Sequence, residues 1–282
     1  MERPVVLLGH TGKMGMALQW VLAQRSPVLG ISSSGFNAAD PEDVERLLRQ
    51  HRPEVVVNAV AYVGVEQCEQ EPALAQRINT LFPYQLARLS REIGFVLIHL
   101  SGSTVFTDLA EGAWTEEHCP APINIYGVTK LGGDALVAQY APQHYIFRLP
   151  ILFGPSARPS QFVEKMLALS ASGTPLLRIA QDVYYSPSYT RDLALAIRTI
   201  YQTGQPWGLY HLANDGMVSL YDLLKEFDKH LHLAAKIEPV MQKEIDPTGV
   251  RPVRIPLASV KRPPLRPWYE AVADYCQWIQ SQ

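Results

Sequence analysis

Short apolar runs alternate with longer amphipathic stretches along the first half of the chain. The runs predict strands, because the buried strands of a parallel sheet are continuously apolar. They lie at Val5–Leu8, Val28–Ile31, Val55–Asn58, Val96–Leu100 and His144–Leu149. A helical spacing of apolar positions predicts helices over Gly12–Gln24, Pro41–His51, Pro72–Ile93 and Tyr126–Tyr140. Repeated strand–helix units of this kind predict an α/β fold with a Rossmann-type, doubly wound parallel sheet.

The pattern changes after Leu149, where prolines interrupt it and the helices become shorter. Residues 161–171 and 219–232 still have the spacing of amphipathic helices. We therefore expect one domain over residues 1–149, to which the chain returns around 186–203. Residues 150–282 should form a smaller C-terminal lobe over the carboxyl edge of the sheet, where such sheets bind their ligands.

Composition and charge exclude several classes of function. The chain has 282 residues and a formal net charge of −2, and it has no basic run, which argues against a nucleic-acid or anionic-membrane surface. No segment approaches the roughly 18 uninterrupted apolar residues of a membrane span, and the N-terminal apolar run is too short for a signal peptide. The three cysteines lie far apart without metal-ligand spacing, which favours a reducing cytoplasm and no metal site.

A glycine-rich turn, Gly9–Gly15 (GHTGKMG), lies between the first predicted strand and the first predicted helix. Glycines allow the backbone to turn tightly and to approach a pyrophosphate, and the helix N-terminus then faces the phosphates. At this position in the fold, the motif predicts a site for a nicotinamide dinucleotide.

The end of the second predicted strand bears on the choice between NADH and NADPH. Folds that prefer NAD place an acidic residue there to bind the ribose hydroxyls, but this chain has Ser32, Ser33 and Ser34. Small hydroxyls leave room for a 2′-phosphate, with Lys13 or His10 as its cationic neighbour. NADPH is slightly favoured, NADH stays open, and a solvated loop without any role in phosphate binding is the alternative.

Tyr126 and Lys130 are four residues apart on a predicted helix and so share one face. An ammonium beside a phenol favours the phenolate, so we expect the pKa of Tyr126 to fall below its ordinary value of about 10. Such a tyrosine can donate or accept a proton in general acid–base catalysis. Hydroxyl side chains that could accompany it, Ser101 and Ser103, follow the preceding strand.

Several ordered motifs together resemble the extended short-chain dehydrogenases/reductases, and most closely the dTDP-4-dehydrorhamnose reductase group. The resemblance extends over essentially the whole chain. It rests on VVVNAVAYVGVEQCE at Val55–Glu69, HLSGSTVF at His99–Phe106, YGVTK at Tyr126–Lys130, SPSYTRDLA at Ser186–Ala194, and an Arg-Pro…Leu…Val-Lys pattern at Arg251–Lys261. It implies an NAD(P)H-dependent reductase that acts on a keto group of a nucleotide-activated deoxysugar.

The resemblance also implies roles for individual residues. Tyr126 would protonate the substrate carbonyl oxygen, Lys130 would bind the nicotinamide ribose and the tyrosine, and Asn37 would lie near the adenine. The implied cofactor site is lined by residues of the glycine turn and of the following strand ends: Gly9, His10, Thr11, Gly12, Lys13, Met14, Gly15, Ser32, Ser33, Asn37, Ala59, Val60, Ala61, Tyr62, Asn79, Tyr126 and Lys130.

The sequence departs from the family at positions that face the substrate. The family's catalytic Thr or Ser falls at Gly102, so we expect a neighbouring hydroxyl, Ser103 or Ser101, to replace it, with Thr104 also adjacent. Alternatively, glycine is required there because the backbone adopts a positive φ angle or passes close to the ligand. A pocket tryptophan and a pocket glutamine of the family correspond to Ile151 and Val183. The reaction type is therefore better indicated than the substrate.

Two other functions remain open for this fold. A non-catalytic dinucleotide-binding subunit, resembling the regulatory subunit of methionine adenosyltransferase, is favoured by Gly102, whereas Tyr126 and Lys130 favour the enzyme. A nucleotide-sugar epimerase or dehydratase ranks lower, because dehydratases of this fold place acidic residues where Gly102 and Ser103 stand. The sequence leaves a homodimer open.

Overall fold

The computed structural model describes residues 3–24, 27–109, 111–157, 161–246 and 250–282. Its strands are β1 Val5–Leu8, β2 Val28–Ile31, β3 Val55–Asn58, β4 Val96–Gly102, β5 His144–Leu149, β6 Leu152–Phe153, β7 Leu176–Ala180, β8 Tyr184–Tyr185, β9 Ser188–Tyr189, β10 Gly208–His211, β11 Val218–Ser219 and β12 Lys236–Val240. Its α-helices are α1 Lys13–Leu22, α2 Pro41–His51, α3 Val65–Gln70, α4 Pro72–Gln76, α5 Phe82–Ile93, α6 Ile125–Tyr140, α7 Phe162–Ala171, α8 Thr190–Gln202, α9 Leu220–Leu231, α10 Gln242–Ile245 and α11 Trp268–Gln280.

The main sheet has six parallel strands in the order β10-β5-β4-β3-β1-β2. The strand order reverses between β1 and β3, and open α/β sheets bind ligands outside the carboxyl ends of the strands at such a switch point. The predicted fold class, a doubly wound parallel sheet flanked by helices, is confirmed.

Alternation along the strands builds an apolar layer on each face of this sheet. Val5 and Leu7 point to the face covered by α1 and α8, whereas Val6 and Leu8 point to the face covered by α2, α5 and α6. All four side chains are buried. Burial of a valine or leucine side chain stabilises the fold by roughly 1.5–3 kcal/mol.

Capping residues mark where two of the helices, α2 and α6, begin. Asp40 accepts hydrogen bonds from the first-turn amides of α2, and Asn124 Oδ1 accepts from Gly127 N at 2.8 Å at the start of α6. The long helix predicted over Pro72–Ile93 is interrupted, because a π-helical turn, Arg77–Leu81, separates α4 from α5. The first helix begins after Gly12 and ends at Leu22, two residues before its predicted end.

The second half of the chain forms a smaller lobe around its own core. The two-stranded pairs β6–β9, β7–β12 and β8–β11 pack with α7, α9 and α11. Phe153, Tyr189, Phe227 and Tyr275 are in mutual ring contact at its centre. Between these elements, α8 packs on α1 and β10 extends the main sheet beside β5. Within the described residues, no helix is long and apolar enough to cross a membrane.

Candidate active site

The glycine turn holds the N-terminus of α1 against the ends of β1 and β3. Gly9 has φ +82°, and a Cβ atom there would lie 2.9 Å from the carbonyl oxygen of Ala59. A Cβ on Gly15 would collide with the carbonyl oxygen of Gly9. The amide groups in the first turn of α1 have no acceptor within the helix and face this edge of the sheet. The turn therefore fits the pyrophosphate of a dinucleotide, which binds to such amides.

The side chain of Lys13 lies elsewhere than the sequence suggested. Its ammonium is buried in an ion pair with Glu164 of α7, at 3.4 Å from the carbonyl oxygen of Leu152. Glu164 also accepts a hydrogen bond from Gly154 N at 2.8 Å. Burial lowers the pKa of Lys13, and Glu164 opposes that shift. The sequence suggested that the Lys13 ammonium could lie beside a 2′-phosphate. In the structure this ammonium instead joins the glycine turn to the second lobe.

His10 and Thr11, between the glycines, have different surroundings. The imidazole of His10 lies against β2, where a Cβ on Gly30 would be 2.8 Å from its Cγ. Its Nδ1 is buried and has no hydrogen-bond partner among the described residues. Thr11 is exposed on the turn. Gly30 precedes Ser32 by two residues, so the imidazole of His10 lies near the serine-rich end of β2.

The end of β2 forms a neutral turn that is stabilised by its own hydrogen bonds. The hydroxyls of Ser32 and Ser34 lie 2.8 Å apart, and Ser33 is exposed. Asn37 Oδ1 accepts from Ala39 N at 3.0 Å, so this amide oxygen has a local partner. The side chains of Ser32, Ser33, Ser34 and Asn37 are uncharged, and the one carboxylate hydrogen-bonded to this turn among the described residues is that of Asp43, which accepts from Asn37 N at 2.7 Å.

Asn79 joins the loop after β3 to the helix that carries the Tyr–Lys pair. From the π-helical turn, its side chain accepts from Tyr62 N at 2.9 Å and donates to Tyr62 O at 3.0 Å and to Thr129 Oγ1 at 3.2 Å. Asn79 is fully buried, whereas Ala59, Val60, Ala61 and Tyr62 are half-buried. The amide thus positions the loop predicted to line the nicotinamide ribose against α6.

Lys130 and Tyr126 lie on α6 beside the end of β4. Lys130 Nζ is buried and donates to Leu100 O at 2.7 Å. Burial lowers the pKa of Lys130 to about 8, opposed by Asp134. Burial also raises the pKa of Tyr126 to about 12, so the expected lowering is wrong. Both residues lie on α6, four positions apart, but the ammonium points to a carbonyl and the desolvation of the phenolate dominates.

A buried polar network behind Lys130 was not predicted. Asp134, one turn further along α6, accepts from Arg148 Nε at 3.0 Å, and its other oxygen lies 3.7 Å from His99 Nε2. His99 Nδ1 lies 3.1 Å from Asn58 Nδ2. Burial lowers the pKa of His99 well below its ordinary value, so this histidine is neutral. The four-residue spacing of Lys130 and Asp134 was the sequence signal that could have revealed this network.

The conformation of Gly102 excludes a positive φ angle as the explanation for a glycine at that position, and the surrounding protein atoms do not explain it either. Its φ and ψ of −142° and 161° are extended, and any residue can adopt them. The three nearest atoms to a Cβ there would be Thr104 Oγ1 at 3.5 Å, Leu149 O at 3.8 Å and Thr104 N at 3.9 Å, which are ordinary contact distances. Neither backbone strain nor crowding therefore requires glycine at the end of β4.

The altered substrate-side positions lie where three segments meet. Val183 is buried and precedes β8, and the ring of Tyr184 lies under the guanidinium of Arg254 at 5.6 Å. Tyr185 Oη donates to Pro252 O at 3.2 Å. Ile151 precedes β6, and its carbonyl accepts from β9. The C-terminal Arg-Pro segment thus folds back over β8. The described residues contain no group of three or more His, Cys, Asp or Glu side chains that could hold a metal.

An open parallel sheet, a glycine turn at its switch point and a Tyr–Lys pair beside it define the dinucleotide-binding reductases of the short-chain class. Within that class, the family model "RmlD substrate binding domain" matches residues 2–280. The chain therefore belongs to this family, which confirms the resemblance seen in its motifs.

Curated relatives and solved structures agree with this assignment. The spore coat polysaccharide biosynthesis protein SpsK of Bacillus subtilis is 31% identical over 97% of this chain and 96% of its own length. The dTDP-4-dehydrorhamnose reductase of Escherichia coli K12 is 32% identical over 77% of this chain and 75% of its own. The structure of dTDP-4-dehydrorhamnose reductase from Bacillus anthracis in complex with NADP has a TM-score of 0.92 at 25% identity, covering 99% of this chain and 100% of that one.

Proposed function

We propose that the protein is an NAD(P)H-dependent reductase acting on a keto group of a nucleotide-activated deoxysugar, as its relatives named dTDP-4-dehydrorhamnose reductase are. One observation carries this proposal. Tyr126 and the buried Lys130 lie at the same edge of the sheet as the glycine turn, and Asn79 ties the loop after β3 to the helix that bears them.

The two parts of the chain would bind different ligands. Residues 1–149 would hold the dinucleotide, with its pyrophosphate on the amides after Gly12 and its nicotinamide ribose beside Ala59–Tyr62 and Lys130. Residues 150–282 would hold the nucleotide sugar. Support comes from the glycine contacts at the switch point and from the C-terminal segment that folds over β8.

A bound nicotinamide would supply hydride to the carbonyl carbon of the sugar. Tyr126 would donate its phenolic proton to the carbonyl oxygen, so that one C–H and one O–H bond form while the phenol loses its proton. A pKa of about 12 keeps this phenol protonated at neutral pH, as a proton donor requires. Lys130, with a pKa of about 8, is mainly charged at that pH and would stabilise the phenolate left behind.

The experiment measures NADPH oxidation with dTDP-4-dehydrorhamnose as the probe substrate. Tyr126→Phe should lower turnover roughly 10²- to 10⁴-fold, the usual effect of losing a general acid. NADPH affinity should stay within a few-fold, because the phenol acts on the substrate. Tyr140→Phe is the matched control on the same helix, since Tyr140 is 39% exposed at the far end of α6. Equal turnover in the two variants would contradict the proposed proton donor.

A non-catalytic dinucleotide-binding subunit is the second candidate, favoured by the missing hydroxyl at Gly102. It predicts dinucleotide binding without NADPH oxidation for any keto sugar nucleotide. We further propose a cytoplasmic location, which the free cysteines Cys68, Cys119 and Cys276 support. A homodimer is also proposed, supported by the exposed apolar side chains of Val128 and Tyr140, and sedimentation would test it.

A further inference from the structure

The space that a side chain at position 102 would occupy borders another hydroxyl. Thr104 Oγ1 is the atom nearest to a Cβ built on Gly102, apart from the adjoining residues, at 3.5 Å. Thr104 lies in the 3₁₀ turn Ser103–Val105 that follows β4 directly. Its hydroxyl therefore approaches the position from which a residue 102 hydroxyl would act.

The same turn is fixed against the start of the helix that carries Tyr126. A Cβ on Gly127, the next residue along, would collide with the carbonyl oxygen of Thr104. The backbone of the turn therefore packs directly on the first residues of α6, with no space between them. Thr104 is consequently held beside the proposed proton donor by direct backbone packing.

The Thr104 hydroxyl is buried and has no hydrogen-bond partner among the described residues. Such an unpaired group costs free energy, and in a native structure it calls for an explanation. Thr104 as a whole is only half-buried, so the residue lies at a wall of the site and not in the core. A change of χ1 rotamer that exposes this hydroxyl would let a substrate oxygen supply the partner it lacks.

The neighbouring serines are less well placed. Successive side chains of a strand point to opposite faces, so Ser101 and a residue 102 side chain point apart. The Ser101 hydroxyl is also buried without a hydrogen-bond partner among the described residues. It differs from Thr104 in lying close enough to the Asp134 carboxylate to lower the pKa of that group. Ser103 is also an immediate neighbour of Gly102 in the sequence. Thr104 lies two residues after Gly102, and its hydroxyl reaches the side on which a residue 102 side chain would lie.

We infer that Thr104 donates the hydrogen bond that stabilises the substrate carbonyl oxygen as it becomes an alkoxide, in place of a hydroxyl at position 102. This inference rests on the proposed reductase function and assigns the oxyanion donor within the same site. An oxyanion donor acts most strongly where water is excluded, as it is around this hydroxyl.

Thr104→Val tests the assignment, because it replaces the hydroxyl by a methyl group of similar shape. With dTDP-4-dehydrorhamnose and NADPH, kcat should fall roughly 10²- to 10³-fold, the usual effect of losing one such donor. Thr104→Ser should keep most of the activity, and Ser103→Ala should stay within a few-fold of the wild type. Adding Gly102→Ser to Thr104→Val should restore part of the loss, since that Cβ position is open.

Activity in Thr104→Val within threefold of the wild type would overturn the inference, as would a loss in Ser103→Ala equal to that in Thr104→Val. A wild type without turnover would instead contradict the proposed function. In that event, dTDP-rhamnose is titrated into the protein saturated with NADP⁺. Several-fold weaker binding to Thr104→Val than to wild type and Thr104→Ser supports the hydrogen bond, and equal binding to all three overturns it.

Discussion

Replacing Lys13 by methionine is expected to lower the free energy of unfolding by roughly 3–5 kcal/mol. The side chains of Lys13 and Glu164 are only 3% and 10% exposed, so water screens their ion pair weakly. The substitution leaves the Glu164 carboxylate buried with the hydrogen bond from Gly154 N but without its cation. An uncompensated buried charge, more than the lost attraction itself, accounts for a loss of this size.

Urea unfolding followed by circular dichroism gives the free energies, provided that the slope with denaturant is the same in each variant. Arg178→Met is the matched control. Arg178 also joins two elements of the second lobe through Glu244, at 3.2 Å, but these side chains are 50% and 45% exposed. That variant should lose at most about 1 kcal/mol.

Replacing both members of the buried pair provides the second half of the test. Lys13→Met combined with Glu164→Gln should recover most of the stability lost in Lys13→Met alone, because no unpaired charge remains. The reasoning is refuted if Lys13→Met is no more destabilising than Arg178→Met. It is also refuted if the double variant is less stable than Lys13→Met.

Two further predictions concern the cofactor and the pH dependence. NADPH should raise the melting temperature, by an amount equivalent to about 2.7 kcal/mol at ~100 times its dissociation constant. NADPH should bind at least as well as NADH, and Ser32→Asp should weaken the binding of NADPH but not that of NADH. A strong preference of the wild type for NADH in the same buffer would contradict this. Turnover should fall as the pH rises through about 8, where Lys130 loses its proton. Lys130→Arg keeps the charge and should shift that decline to higher pH; an unshifted decline would exclude Lys130 as its cause.

Five of the six described strands of the main sheet were predicted from local sequence, four of them to the residue, whereas β10 at Gly208–His211 was missed. Val5–Leu8 and Val55–Asn58 are continuous apolar runs because both faces of each strand are covered by helices. The pairs of two-residue strands in the second lobe were missed, since a run of two carries no periodicity. The π-helical turn at Arg77–Leu81 was also missed, because a single wide turn inside a helix leaves the segments on both sides of it helical.

The site was predictable in its positions and less so in its electrostatics. The spacing of Tyr126 and Lys130 predicted one helix for both, and both lie on α6. It could not show that the lysine ammonium is directed to Leu100 O, nor that burial dominates the pKa of the phenol. Similarly, the partner of Lys13 is 151 positions away in the chain, so only the folded arrangement of the two lobes reveals it.

The open, extended backbone at Gly102 also has an evolutionary consequence. Position 102 can gain or lose a hydroxyl side chain without any change in the path of the strand. A lineage could therefore pass through an ancestor with hydroxyls at both 102 and 104, in which either one is dispensable. Transfer of the role from one residue to the other would then need no inactive intermediate, and the reverse transfer would be equally accessible.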